Sequence, residues 1–261
     1  MLEAALPHCD VIVQVEAERR RKLLIADMDS TMITVECIDE LADYVGLKAE
    51  VSAVTERAMR GEIDFAGALR DRVALLAGLS EATVAECLRE RVKLMGGAVD
   101  LIAAFRAAGG RAVLVSGGFT HFTDSVSARI GFDHAVANRL IVKDGALTGE
   151  VEQPIVDAQT KRAVLYACLS KSVRPELVEG SSFSRMVHAL QKQGFDKLSP
   201  NGFRVEQTLA IGDGANDIPM IAAAGLGVAY HAKPKTEAAA DACVRHGNLD
   251  VVRYALGLSA I

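Results

Sequence analysis

Four short apolar runs, each followed at once by acidic or small residues, constrain the fold of this chain more than any other feature. They are residues 23–26, 112–115, 208–211 and, more weakly, 226–229, and the residues after them read DMDST, SGGFT, GDGAND and YHAKP. Helical patterns separate these runs, and such an alternation predicts parallel strands whose two faces are both covered. We therefore expect an α/β fold with a Rossmann-like parallel sheet.

The residues that follow these strands predict where a ligand would bind. In parallel sheets ligands bind beyond the carboxyl ends of the strands, and this rule brings Asp27, Ser116 and Asp213 to one edge. Taken alone, DMDST or GDGAND is also compatible with an ordinary turn or a helix N-cap. A buried carboxylate is costly unless it is paired, hydrogen-bonded or bound to metal, so two acidic strand ends together favour a shared metal ion.

The segment between the first two strands has a different pattern. Residues 36–94 contain four amphipathic stretches in which apolar residues recur about every 3.6 positions, as on one face of a helix. This pattern predicts a small helical cap domain over residues 35–94, inserted after the first strand. The α/β core would then comprise residues 22–34 and 95–261.

Two later segments depart from the alternation of strands and helices. The dipeptide Asp144-Gly145 lies between alternating segments and predicts a β-hairpin within residues 135–154. Residues 170–203 are rich in Ser, Pro, Gly and Asn at both ends, and loops of this length are uncommon in compact domains. We expect a disordered surface insertion there, although MVHALQKQ, residues 186–193, can form a short helix.

Charge and composition exclude several functional classes. A formal net charge of −5 at pH 7 argues against a general binder of nucleic acid or of anionic membranes. The five cysteines are scattered without CxxC spacing, which is typical of free thiols in a reducing compartment. The N-terminus lacks a signal-peptide pattern, and no apolar run is long enough to span a bilayer. We therefore expect a cytoplasmic protein.

The two acidic strand ends favour a hard cation. Mg²⁺ prefers a few carboxylates together with waters and phosphate oxygens, so Asp27 and Asp213 are the expected direct ligands. We expect the backbone carbonyl of Asp29 as a third ligand.

A phosphate-binding element is predicted at SGGFT. The Ser116 hydroxyl and the exposed amides of Gly117 and its neighbour, at the start of a helix, can hold a phosphate group, although Ser-Gly-Gly is also an ordinary loop. Lys161 could neutralise a further phosphate oxygen. A lone lysine is usually a solvated surface charge, so this role depends on the neighbouring residues.

Together these groups predict a phosphoryl-transfer site. Asp27 would attack phosphorus to give an aspartyl-phosphate, while Mg²⁺, Lys161, Ser116 and backbone amides hold the equatorial oxygens. Asp29 would protonate the leaving alkoxide and later activate water. The first of these tasks requires a protonated Asp29, and hence surroundings that raise its pKa.

The ordered set DxDST, SGG, a following lysine and GDGANDxxM resembles the haloacid dehalogenase-like phosphatase superfamily. The finer pattern, with DMDSTMITVECIDELA, VSGGFT, VDAQTK and IGDGANDIPM, is similar to the phosphoserine phosphatase family over about residues 22–169 and 204–250. This resemblance implies Mg²⁺-dependent hydrolysis of O-phospho-L-serine to L-serine and phosphate, through an aspartyl-phosphate intermediate, in serine biosynthesis.

The resemblance also implies a role for each residue at a matching position. Asp27 would be the nucleophile and Asp29 the general acid and base, and both would bind the metal together with Asp213. Asp217 would orient the waters around the metal or hold Lys161. The implied contacts to the substrate are phosphate binding by Ser116, Gly117 and Lys161, substrate binding by Asn216 of the fourth motif, ammonium binding by Glu36, carboxylate binding by Arg72, and apolar packing by Met59 and Phe65.

The residues of the cap have ordinary structural explanations as well. Glu36 fits an acidic residue in the first turn of a helix, and Arg72 fits one of several surface arginines. Met59 and Phe65 fit the apolar core of a helical bundle.

Two other functions are compatible with these motifs. A phosphotransferase would pass the phosphoryl group to another alcohol such as homoserine, and a non-catalytic protein would bind phosphoserine without turnover. Relatives of this type commonly carry an accessory domain before the first motif, so residues 1–21 would be an N-terminal remnant of it. We expect a monomer or homodimer that acts on a small phosphomonoester, without nucleic-acid or membrane partners.

Overall fold

The computed structural model describes residues 6, 8–60, 62–169, 185–192 and 201–259. The strands are β1 Leu23–Ala26, β2 Arg111–Phe119, β3 His134–Asn138, β4 Leu140–Lys143, β5 Ala146–Val151, β6 Thr208–Gly212, β7 Gly227–Tyr230 and β8 Ala242–Val244. The helices are α1 Cys37–Asp43, α2 Lys48–Met59, α3 Phe65–Ala74, α4 Glu81–Arg91, α5 Ala98–Ala107, α6 Thr120–Ile130, α7 Ala158–Cys168, α8 at residues 185–192, α9 Ile218–Ala223, α10 Pro234–Glu237 and α11 Asp250–Ala255. Among these described helices, none has both the length and the apolar character that a membrane span requires.

Six of the strands form one parallel sheet in the order β3-β2-β1-β6-β7-β8. All four predicted runs are strands of this sheet, which confirms the predicted α/β fold. The central strand β1 is buried on both faces, with Leu24 and Ala26 in one apolar cluster and Leu23 and Ile25 in the other. The chain passes from β1 to β2 and β3 on one side and then returns to β6 on the other. This reversal beside β1 is where ligands bind in such sheets.

Helices α1 to α4 follow β1 and form the helical cap inserted after the first strand. Their apolar faces bury Leu41, Val51 and Val73 in a cluster that they share with the core. The Asp64 side chain accepts a hydrogen bond from the Gly67 amide at 2.7 Å and thereby caps the start of α3. We propose the boundaries given above for the cap and the core.

Strands β4 and β5 form the predicted antiparallel hairpin. Asp144 has φ 52° and Gly145 has φ 76°, the positive values that a two-residue turn between twisted strands requires. Leu147 of β5 accepts a hydrogen bond from the Gly78 amide at 2.8 Å, and its own amide donates to the Leu79 carbonyl at 2.8 Å. The hairpin therefore supports the end of the cap that lies beyond α3.

The structure describes part of the segment predicted to be a disordered surface insertion, residues 170–203. Residues 185–192 form α8, as the alternative of a short helix anticipated. Val187 and Leu190 are 1% and 6% exposed and pack in a cluster with apolar side chains of α7 and α9. The three-residue spacing of these two side chains gives α8 an apolar face, and burying that face favours order. Residues 201–203 are also described, with Phe203 buried in the same cluster, whereas residues 170–184 and 193–200 of the predicted insertion lie outside the described residues.

Candidate active site

A cluster of three buried carboxylates lies at the carboxyl edge of the sheet. Asp27 follows β1 and Asp213 follows β6, and the two strands are adjacent and parallel, so their ends bring these side chains together. Asp217 stands one turn further along the chain from Asp213. Each of the three offers an oxygen within 4.8 Å of the others.

Lys161 of α7 lies between two of these carboxylates. Its side chain is fully buried, and its Nζ is 2.8 Å from Asp27 Oδ1 and 2.7 Å from Asp217 Oδ1. Burial opposes the charge of Lys161, yet the attraction of Asp217 and Asp27 prevails and raises its pKa. Lys161 is therefore a charged group inside the site and not a surface lysine.

Asp217 holds both Lys161 and the loop that carries Asp213. Its Oδ1 accepts from Lys161, and its Oδ2 accepts from the amides of Asp213 and Gly214 at 3.1 Å each. A Cβ atom on Gly212 would lie 2.4 Å from Asp217 Cγ, so the close approach of this side chain requires glycine. With both oxygens engaged, Asp217 fits the predicted role of holding Lys161 better than that of a direct metal ligand.

The donor set of this cluster fits a hard divalent cation. Burial and the charge of Asp217 raise the pKa of Asp27 to about 7, although Lys161 acts in the opposite direction. Burial and the neighbouring carboxylates also hold the pKa of Asp213 well above its usual range. A cation with oxygen ligands would relieve this repulsion and favour ionised Asp27 and Asp213. The Asp29 carboxylate is not in the cluster, so its expected contribution remains that of its backbone carbonyl.

Asp29 has surroundings that favour a protonated carboxyl group. It is 7% exposed, and burial, followed by the charges of Glu36 and Asp27, holds its pKa well above its usual range. The Cys37 thiol is hydrogen-bonded to the carboxyl group. Asp29 Oδ1 has no hydrogen-bond partner among the described residues. A protonated carboxyl next to Asp27 is suited to donate a proton to a leaving group.

The SGG segment brings the core close to the cap. Ser116 is fully buried within β2, three residues before the strand ends at Phe119, and its hydroxyl accepts a hydrogen bond from the Gly118 amide at 2.8 Å. A Cβ atom on Gly117 would lie 2.7 Å from the ring of Phe65, at the start of α3. Glycine at this position therefore lets the aromatic ring of the cap approach the expected phosphate site.

A cleft between the cap and the core brings most of the predicted residues together. The predicted site residues among those that line it are Asp27, Asp29, Glu36, Met59, Phe65, Arg72, Ser116, Gly117 and Asn216. Lys161, Asp213 and Asp217 do not line this cleft, but belong to the carboxylate cluster around Asp27. Cap and core thus contribute to one site, although their residues are far apart in the sequence.

The structure distinguishes between the open explanations for Glu36 and Arg72. Arg72 is only 4% exposed, so it is not a surface arginine. Glu36 precedes the first turn of α1, yet its side chain does not cap the helix. Instead it accepts a hydrogen bond from the Ser30 hydroxyl. Met59 and Phe65 both line the cleft; Phe65 also packs against the apolar cluster of cap and core, and Met59 is 7% exposed.

Three side chains that support the site were not predicted from the sequence. The Thr31 hydroxyl donates to Asp213 Oδ1 at 2.8 Å. The only sequence feature that could have indicated this role is the position of Thr31 at the end of the DMDST motif. Thr55 donates to Asp39 at 2.6 Å and accepts from Arg72 at 2.7 Å. Because Thr55 and Asp39 resemble ordinary helical residues, no local pattern marks them.

Comparison with known proteins places these observations in a family. Residues 24–179 match the haloacid dehalogenase-like hydrolase family, and residues 197–256 match a second family of the same description. The phosphoserine phosphatase of Albidiferax ferrireducens is 42% identical over 235 residues, which are 88% of this chain and 86% of that protein. The phosphoserine phosphatase of Polaromonas is 44% identical over 234 residues, 88% and 87% of the two chains.

Solved structures agree with the sequence relatives. A substrate-bound phosphoserine phosphatase complex is 33% identical and superposes with a TM-score of 0.71, over 90% of this chain and 98% of that one. The unliganded probable phosphoserine phosphatase of Vibrio cholerae is 40% identical with a TM-score of 0.69, over 92% and 65% of the two chains. The chain therefore belongs to the phosphoserine phosphatase family of the haloacid dehalogenase-like hydrolases.

Proposed function

We propose that this enzyme hydrolyses O-phospho-L-serine to L-serine and phosphate, with Mg²⁺ as its cofactor. The observation that carries this proposal is the placement of Glu36 and Arg72, two opposite charges, in the cleft that also contains Asp27 and Asp29. Phosphoserine has an ammonium and a carboxylate at one end and a phosphate at the other, which complements this arrangement. The relatives named phosphoserine phosphatase support the same substrate.

In the proposed reaction, Asp27 attacks phosphorus and the bond from phosphorus to the serine oxygen breaks. The contacts of the Asp27 side chain with the Met28 amide and Lys161 fall on Oδ1, so Oδ2 is without a hydrogen bond among the described residues. Asp29 gives its proton to the leaving alkoxide, and it then takes a proton from the water that hydrolyses the aspartyl-phosphate. Lys161 and Ser116 hold phosphate oxygens as charge develops.

Asp27, Asp213 and the backbone carbonyl of Asp29 are the groups proposed to hold Mg²⁺. When bound, the ion would neutralise charge on the phosphate oxygens. The two carboxylates supply the oxygen ligands that Mg²⁺ prefers, and Thr31 orients Asp213 through the hydroxyl contact described above. Gly117 and Asn216 complete the proposed phosphate contacts.

Substrate selection is proposed to depend on the cap. Arg72 can bind the carboxylate with two parallel hydrogen bonds, and Glu36 can accept from the ammonium. Met59 and Phe65 would exclude water from the closed cleft. This combination disfavours simple alkyl phosphates, because they leave both charged groups without partners.

The cellular setting is also a proposal. The five cysteines form no disulfide, which supports a reducing, cytoplasmic compartment. The similarity to phosphoserine phosphatases supports a role in serine biosynthesis. The site is built from residues of one chain, which is compatible with the expected monomer or homodimer.

The direct test measures phosphate release from O-phospho-L-serine with Mg²⁺, with EDTA, and with the Asp27→Asn variant. We expect EDTA to abolish turnover, and the variant to lose at least about a thousandfold in kcat because no nucleophile remains. A thermal unfolding scan of the variant controls for loss of the fold. Turnover that survives Asp27→Asn would contradict the proposed mechanism.

Two further measurements address the alternative functions. Transfer of phosphate to added homoserine, in preference to water, would identify a phosphotransferase. Tight phosphoserine binding by the wild-type protein without turnover in Mg²⁺ would identify a binding protein.

A further inference from the structure

Arg72 is held by contacts that leave most of its donors available. It is 4% exposed in α3, where its Nε donates to the Ala68 carbonyl at 2.9 Å. Its Nη1 donates to the Thr55 hydroxyl at 2.7 Å. The other three N–H groups have no hydrogen-bond acceptor among the described residues, and Arg72 lines the cleft. Two fixed contacts therefore orient a guanidinium that can still bind a carboxylate.

The Thr55 hydroxyl connects Arg72 to Asp39. Thr55 is 4% exposed in α2, and its Oγ1 lies 2.6 Å from Asp39 Oδ1 and 3.0 Å from the Val51 carbonyl. Arginine can only donate and a carboxylate can only accept. The hydroxyl oxygen therefore accepts from Arg72, and the hydroxyl proton points to Asp39, its shorter acceptor contact. This chain of hydrogen bonds joins three cap helices, α3, α2 and α1.

Asp39 also compensates the cost of burying the arginine. Burial lowers the pKa of Arg72, whereas the charges of Asp39, Glu36 and Asp29 raise it. Of these three acids, Glu36 and Asp29 line the same cleft and have proposed roles of their own. Asp39 favours the charged form of Arg72 but contacts it only through Thr55, so it leaves the remaining N–H groups of Arg72 available for a substrate carboxylate.

A purely structural explanation exists for part of this arrangement. Buried helical threonines often donate back to the carbonyl four residues earlier, as Thr123 does to Phe119 at 3.4 Å. Thr55 has that same contact with Val51. A contact within one helix, however, does not account for the charged groups of two other helices that meet at the same oxygen.

We propose that Thr55 and Asp39 are positioning residues that orient Arg72, and thereby set the preference of this enzyme for phosphomonoesters that carry a carboxylate. The proposal rests on the proposed function and deepens it. Neither residue is assigned a contact with the reacting atoms.

The test compares two ligands that differ only in the carboxylate: O-phospho-L-serine and O-phosphoethanolamine. Thr55→Val keeps the shape but removes the acceptor, so we expect KM for phosphoserine to rise about tenfold or more. The values for phosphoethanolamine should remain within about twofold. Asp39→Asn should raise KM for phosphoserine by a smaller factor, about threefold to tenfold, because an acceptor remains while the charge is lost.

Two variants serve as matched controls. Thr55→Ser retains the hydroxyl and should restore the wild-type KM for phosphoserine. Thr123→Val removes the hydroxyl of a fully buried helical threonine elsewhere in the core and should change neither ligand's KM. An effect that merely reflects loss of a buried hydroxyl would appear in Thr123→Val as well.

Binding measurements separate this proposal from the proposed function. Calorimetry with Mg²⁺, in an Asp27→Asn background, gives the ratio of the two dissociation constants with and without Thr55→Val. Turnover of phosphoserine by the wild type tests the proposed function. A tenfold change in the ratio of dissociation constants on Thr55→Val supports the positioning role of Thr55, even if the protein shows no turnover. An unchanged ratio, or an equal loss for both ligands, would overturn the proposal.

Discussion

Lys161 shows how strongly a single buried charge depends on its partners. It is fully buried between Asp27 and Asp217, with both contacts shorter than 3 Å. Lys161→Met would leave two carboxylates without their cation, and breaking a buried pair in this way costs about 3–5 kcal/mol of unfolding free energy. Denaturant titration of the variant should show this loss, together with loss of phosphatase activity.

The matched control for that variant is Lys143→Met, at an exposed position on β4. We expect its unfolding free energy to stay within about 0.5 kcal/mol of the wild type. If the two variants unfold at the same denaturant concentration, the buried ion pairs do not stabilise the protein as proposed.

The sequence was informative about residues whose position follows from the strands. Asp27 and Asp213 each stand just after the carboxyl end of a strand, and Ser116 lies near the carboxyl end of β2 in the same sheet, so topology alone predicts their proximity. Thr55 and Asp39 could not be predicted in this way. Their contact depends on how α1, α2 and α3 pack, and side-chain contacts between helices leave no periodic signal in the sequence.

Among the secondary-structure elements, the strands follow directly from a sequence pattern, whereas the order of α8 depends on tertiary packing. The predicted strands are continuous apolar runs because both faces of the sheet are covered. Helix α8 lies in a segment whose flanks are rich in turn-forming residues, and this composition favours disorder over a packed helix. Its apolar side chains become informative only when α7 and α9 provide a surface to bury them.

The burial of α8 leads to a prediction at the same scale. Leu190 is 6% exposed in the cluster with α7 and α9, so Leu190→Ala should lower the unfolding free energy by about 2–5 kcal/mol. Since the substitution lies outside the cleft, kcat for phosphoserine should not change. Denaturant titration and steady-state kinetics measure the two effects.

Lys192→Ala, at an exposed position of the same helix, is the control for that variant and should leave stability within about 0.5 kcal/mol. A Leu190→Ala protein as stable as the wild type would mean that α8 contributes nothing to the core, as expected of a disordered surface insertion.

For the molecule as a whole, the carboxyl edge of the sheet combines function with an electrostatic cost. Asp27, Asp213 and Asp217 are buried together with Lys161 as the partner of two of them. The pKa values of Asp27 and Asp213 are raised because burial and the negative charges of neighbouring carboxylates disfavour the ionised form of each. Repulsion at the predicted cation site therefore destabilises the folded protein, and a bound cation would relieve that repulsion.

Thermal unfolding with and without Mg²⁺ tests this coupling between binding and stability. A ligand that binds only the folded state adds about 2.7 kcal/mol at a hundred times its dissociation constant. For a chain of this size, that corresponds to a rise of about 5–10 °C in the unfolding midpoint. Asp213→Asn removes one of the repelling charges together with a proposed ligand. We therefore expect the variant to unfold at a higher temperature than the wild type in EDTA, and to gain little from Mg²⁺. A wild-type midpoint that is the same in EDTA and in Mg²⁺ would contradict the assignment of the carboxylate cluster as a cation site.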